Sequence, residues 1–265
     1  MNGQPTDDRP EPRAETAVTS APDPDSSSRS PVWDLAYALL AVVAVVIGAR
    51  IVGDQLGRSP GVPAPLATTV GYLVIWLPLV AAVVVACAGL SRGGGPRKLG
   101  LAFRWTDLVW GLTAGLVARA LDAGLNQVST GGTGLSPQPT LDGGPDLATS
   151  VVLVLAPVLV APIVEEVFFR GLLMRGLTRA LTGDTRLLRG LAATAAVIVS
   201  AAVFAALHVA VGLSVAPTTA TIIVISTFVF GLIAGTLASV TGRLGGAVVA
   251  HVVFNGVAVW ATWPA

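Results

Sequence analysis

Charge is scarce in this chain, and groups that carry chemistry are scarcer. Of 265 residues 12% are charged, with one lysine, Lys98, one cysteine, Cys87, and two histidines, His208 and His251. A single cysteine excludes an intrachain disulfide and leaves the redox compartment unreadable. So little charge, beside 53% hydrophobic residues and a mean hydropathy of +0.77, excludes an ordinary soluble domain. It points instead to an all-α, multi-pass transmembrane helical bundle. The net charge of +1 names no partner, and no nucleic-acid partner is expected. Fifteen arginines against the single lysine, with abundant Ala, Gly and Val, point to a GC-rich bacterial genome. Residues 1–32 lack the apolar core behind a basic start that a signal peptide needs. From Met1 to Ser30 they are rich in Pro, Ser, Thr, Asp and Glu without apolar periodicity, and a disordered tail is predicted there.

About seven apolar segments follow, roughly Trp33–Val52, Ala67–Leu90, Leu108–Val128, Leu147–Phe168, Leu191–Leu213, Thr218–Val240 and Gly245–Trp263. Each approaches the ~20 residues that a helix needs to cross the hydrocarbon core. The third contains Arg119 and Asp122, three apart on one helical face, where a neutralising pair is expected. Arg92, Arg97, Lys98 and Arg104 follow the second segment, Arg175, Arg179, Arg186 and Arg189 the fourth, and Arg243 the sixth. The loops Ser129–Asp146 and Gly212–Pro217 have neither Lys nor Arg. The positive-inside rule then predicts a cell-membrane protein with a cytoplasmic N-terminus, although Arg50 and Arg58 fall on the outer side.

An ionisable side chain at membrane depth is costly and usually marks function. The stretch Glu165-Glu166-Val167-Phe168-Phe169-Arg170 spans the end of the fourth segment. Glu166 and Arg170 share a helix face and are predicted to pair, while Glu165 points about 100° away, free to face a cavity. Pro162 can free backbone groups in the turn before them. His208 follows Phe204 by one turn, and His251 and Asn255 project from one face of the last segment. An imidazole and a carboxamide so placed can donate hydrogen bonds to a developing oxyanion.

The order E-E-x-x-x-R, F-x-x-x-H, H-x-x-x-N resembles the CAAX-protease and bacteriocin-processing family of intramembrane proteases (CPBP, or Abi), which includes the Ras-converting endoprotease. Ala161-Pro162-Ile163-Val164, Arg170-Gly171 and Phe230-Gly231-Leu232 resemble its flanking sequences, and the likeness covers about residues 150–256. The tail and first spans carry no such likeness, and the chain is divided into a disordered cytoplasmic tail (1–32), N-terminal transmembrane helices and loops (33–146) and a CPBP-like core (147–265). The resemblance implies a water-filled cavity among the helices and peptide-bond hydrolysis within it. Matched position by position, Glu165 activates water and His208 helps to hold it. His251 and Asn255 stabilise the oxyanion, and Glu166 and Arg170 support the site. The implied partners are the lipid bilayer and a membrane-associated peptide or protein substrate. Bacteria generally lack prenylated CAAX proteins, so the family name does not name the substrate.

Three other readings compete. Glu165, His208 and His251 have the ligand types of a His₂Glu zinc site, although H-E-x-x-H is absent and a metal-bound glutamate is no free base. No cofactor is therefore expected, with zinc the alternative. A transporter also places Glu, His and Arg in the membrane, but no inverted repeat is found. A non-catalytic immunity or scaffold protein would not need the motifs intact. One expectation conflicts with simple geometry. Perpendicular spans from Leu147 and Leu191 would set Glu165 near the inner side and His208 near the outer. They can meet only if span five starts earlier, helices tilt, or a segment is re-entrant.

Overall fold

The structure, a computed structural model, describes residues 30–89, 99–137, 146–212 and 216–263. The tail predicted over 1–32 lies outside these residues as far as position 29, and so do Arg92, Arg97 and Lys98. Pro31 and Val32 belong to the first helix instead, with Ser30 as its N-cap accepting from the Val32 N–H. Among the described residues there is no strand, and seven helices are long and apolar enough to cross a membrane. They are α1 (Pro31–Gly57), α2 (Ala64–Gly89), α3 (Trp105–Thr130), α4 (Leu147–Leu181), α5 (Arg186–Val211), α6 (Pro217–Thr241) and α7 (Gly245–Thr262). Their outer faces carry exposed Leu, Val, Ile and Trp, as a lipid-facing surface requires.

Helices α1 and α2 pack as a pair, α5 packs along α6, and α3 packs along α7. Helix α4 runs through the middle and touches α1, α2, α5, α6 and α7. This explains why Phe168, Phe169, Arg170, Gly171 and Leu172 are all buried in succession, which no one-sided helix allows. The α3–α7 contact is backbone-close. A Cβ added at Gly111 would meet Val249 Cβ at 2.5 Å and the Gly246 carbonyl at 2.7 Å; one at Gly115 would meet the Ala250 carbonyl at 2.6 Å. This small-xxx-small pair lets α3 press against the turn of α7 that carries His251.

The fourth span differs from its prediction. It continues beyond Phe168 to Leu181, and its hydrogen bonding widens to the π-helical pattern over Ala156–Val160 and Val167–Met174. Helix α5 starts at Arg186, earlier than the predicted Leu191. Both changes remove most of the expected mismatch in depth. From the end they share, Glu165 lies about 24 Å along α4 and His208 about 33 Å along α5. Side chains tilt toward the N-terminus of their own helix. In antiparallel neighbours these two therefore lean toward each other, closing what remains.

Basic side chains gather at one end of the bundle. Arg179 meets Asp34 at the start of α1. Arg243 grips Asp107 at the start of α3 through Nε (3.2 Å) and Nη2 (2.7 Å). Asp107 also accepts the Arg104 N–H at 2.8 Å, so one buried carboxylate joins the α6–α7 turn to the head of α3.

Candidate active site

Glu165, His208, His251 and Asn255 line one cavity of about 260 Å³, with Tyr72 and Trp76 from α2 on the opposing wall. All four candidate residues therefore come together, from helices α4, α5 and α7. The α2 contribution was not foreseen, because a Tyr-x-x-x-Trp pair on an apolar helix carries no signal of its own.

Glu165 is buried, and its Oε2 lacks a hydrogen-bond partner. That oxygen stands 3.9 Å from Nε2 of His208 and 3.9 Å from Nε2 of His251. Such gaps are too long for direct hydrogen bonds and suit a bridging water. The other ring nitrogens fix how both imidazoles face it. His208 Nδ1 donates to the Phe204 carbonyl one turn back at 2.9 Å, which gives the F-x-x-x-H spacing a physical role. His251 Nδ1 donates to Glu166 Oε1 at 2.9 Å. In their neutral forms both rings therefore turn an Nε2 lone pair toward Glu165.

Glu166 and Arg170 pair as expected, Oε1 to Nη1 at 3.0 Å, and both are fully buried. Arg170 also reaches the Gly231 carbonyl through Nη2 at 3.4 Å. Its guanidinium carbon lies 4.7 Å from the Phe204 ring centre, with Phe169 and Phe230 on its other sides. Sequence spacing gave the Glu166–Arg170 pair but not the Glu166–His251 bond, which links residues 85 positions apart. The buried pair thus extends through Glu166 to His251, whose Nε2 faces Glu165 across 3.9 Å.

Asn255 is held by a consequence of Pro162. In the π-helical turn the Ala161 N–H bonds the Ala156 carbonyl. The next donor in that register is Pro162, which has no N–H, so the Pro157 carbonyl is left open. Asn255 Nδ2 donates to it at 2.7 Å, leaving its second amide N–H. Backbone freeing near Pro162 was predicted; the partner that uses it was not.

Arg119 and Asp122 form the expected pair, Nη1 to Oδ2 at 2.6 Å, with a further role. Arg119 donates through Nε (2.9 Å) and Nη2 (2.6 Å) to the Phe254 carbonyl, next to Asn255, and lies 3.7 Å from the Phe254 ring centre. Ser226 on α6 bonds Asp122. Helix α3 therefore supports the turn of α7 that lines the cavity.

Residues 147–257 match the family model described as Rce1-like, type II CAAX prenyl endopeptidase Rce1-like. No curated protein and no solved structure matches the chain. The matched segment contains all three motifs and every residue of the Glu165–His208–His251–Asn255 cluster. Over residues 147–257, this multi-pass membrane protein matches the CPBP, or CAAX-protease, family.

Proposed function

We propose that the protein is an intramembrane endopeptidase in the cell membrane, N-terminus cytoplasmic. It hydrolyses a peptide bond of a membrane-associated protein or peptide, with Glu165 activating the water. The observation that carries this reading is the unpartnered Glu165 Oε2, buried and facing Nε2 of both histidines across 3.9 Å inside a cavity.

The chemistry follows from the orientations. Water held between Glu165 and His208 donates a hydrogen to each and turns a lone pair toward the scissile carbonyl. Glu165 takes the proton as oxygen attacks and returns it to the leaving amine. An imidazolium at His251, flanked by Glu166 at Nδ1 and Glu165 at Nε2, has an Nε2–H to give. Its Nε2–H and the free amide N–H of Asn255 then bind the tetrahedral oxyanion. Asn255→Ala is expected to lower kcat by about 10²–10³ with little change in KM, as for loss of one oxyanion donor. Steady-state cleavage of a membrane-reconstituted peptide measures this. A raised KM at unchanged kcat would place Asn255 in substrate binding instead.

Zinc hydrolysis at the same residues is the second reading, favoured by one observation. Imidazoles anchored through Nδ1 to a carbonyl and a carboxylate, with Nε2 converging, are oriented as metal ligands are. Their spacing is wider than a tetrahedral zinc needs: 3.9 Å from Glu165 Oε2 to each Nε2, against roughly 3.3 Å between ligands. Among the described residues no group of three or more His, Cys, Asp or Glu is arranged to hold a metal. The purified protein is expected to contain substoichiometric zinc and to stay active in EDTA. About one zinc per chain, lost in both His208→Ala and His251→Ala, with activity restored only by added metal, overturns the glutamate mechanism. Chelator inhibition alone does not, because a chelator can also perturb the solubilised protein or its substrate.

A further inference from the structure

At the basic end of the bundle a second cavity, of about 270 Å³, opens between the last turns of α4 and α6. Arg175 and Arg179, one turn apart on α4, line it with Ser239 and with Thr178, whose hydroxyl donates to the Met174 carbonyl at 2.9 Å. The two arginines carry like charge on one face of the helix. Arg179 has a counter-charge: its Nη2 meets Asp34 Oδ2 at 2.5 Å. Arg175 has none among the described residues. Its hydrogen bond runs from Nη2 to the Gly242 carbonyl at 2.9 Å, and its Nε is buried without a partner.

Arg175 is also held in place. Its guanidinium lies against Gly100, whose φ of +76° and bare Cα make room for it; a Cβ there would stand 2.1 Å from Nη2. The same Gly100 accepts the Leu244 N–H at 2.9 Å, so the cation is seated where three chain segments meet. An uncompensated guanidinium so fixed, beside a second one and the Ser239 hydroxyl, is complementary to a phosphate oxyanion. Its place among Arg104, Arg186, Arg189 and Arg243, at the end of the spans, is where a lipid headgroup lies.

The geometry points to a phosphate-binding site between α4 and α6, built on Arg175 with Arg179 and Ser239, that takes the headgroup of an anionic phospholipid. It does not depend on the hydrolytic mechanism, since Arg175 lies about 15 Å along α4 from Glu165. A bound headgroup would neutralise Arg175 and tie α4 to α6 at the membrane surface.

Arg175 itself is a poor probe because it also holds the Gly100 turn. Ser239 is exposed, so Ser239→Glu supplies a carboxylate where the phosphate would sit. Arg189→Ala changes net charge by the same amount at the same end but outside the cavity. The full-length protein in phosphatidylcholine-containing micelles is titrated with phosphatidylglycerol or with inorganic phosphate, and its Tm is followed. Wild type is expected to show a saturable rise with phosphatidylglycerol, roughly 5 °C at about 100 times the dissociation constant. Ser239→Glu should lose that rise and Arg189→Ala keep it. If inorganic phosphate reproduces the rise in wild type but not in Ser239→Glu, the site stands and free phosphate suffices. No saturable rise from either ligand, an undiminished rise in Ser239→Glu, or an equal loss in Arg189→Ala overturns it.

Discussion

Glu165→Ala is expected to lower peptide hydrolysis by about 10²–10⁴-fold, the usual worth of a positioned general base, while the protein still inserts and purifies. His208→Ala should fall in the same range, because the water proposed to lie between it and Glu165 would lose its second anchor. Neither side chain anchors the fold: Glu165 Oε2 makes no hydrogen bond, and His208 bonds only the carbonyl one turn back on its own helix. A cleavage assay in proteoliposomes, paired with a melting curve for each variant, separates loss of chemistry from loss of fold. Near-normal turnover in either folded variant would sink the assignment of Glu165 as base. The same assay addresses the non-catalytic readings, since a transporter or immunity scaffold has no Glu165-dependent cleavage.

Arg170→Ala should act on the fold rather than directly on the chemistry. The Arg170–Glu166 pair is fully buried, and Arg170 is enclosed by Phe169, Phe204 and Phe230. Removing one member of such a pair costs about 3–5 kcal/mol, because the remaining charge is uncompensated and a cavity is left. At 2–4 °C per kcal/mol the melting temperature should drop by roughly 10 °C. Glu166→Gln is the informative companion. It leaves an oxygen to accept from His251 Nδ1 but removes the charge opposite Arg170, so stability should fall with His251 still oriented. A Glu166→Gln protein of wild-type stability but without activity would identify Glu166, not Glu165, as the base.

Much of this architecture is local, and what is local is legible. Seven apolar stretches become seven helices because each is long enough to satisfy its own backbone in the bilayer. The Arg119–Asp122 and Glu166–Arg170 pairs follow from three- and four-residue spacing alone. The motif residues are recognisable because titratable groups at membrane depth are rare and retained for cause. The end of the fourth span was misplaced at Phe168 because the charges of Arg170 and Arg175 look like a membrane boundary. In the bundle they are buried or half-buried, with rings and carbonyls around them.

Only the tertiary structure decided how these pieces meet. Periodicity gives the face of a helix but not its depth, and the site depends on depth. Glu165 and His208 approach only because α4 continues to Leu181 and α5 starts at Arg186. The His251–Glu166 bond, the seating of Asn255 on the Pro157 carbonyl, the grip of Arg119 on Phe254 and that of Arg175 on Gly242 all join distant segments. No spacing rule reaches across such distances. The sequence determined which groups were available and on which helices. Packing around α4, with its widened turns and the close α3–α7 contact, decided which of them face one another.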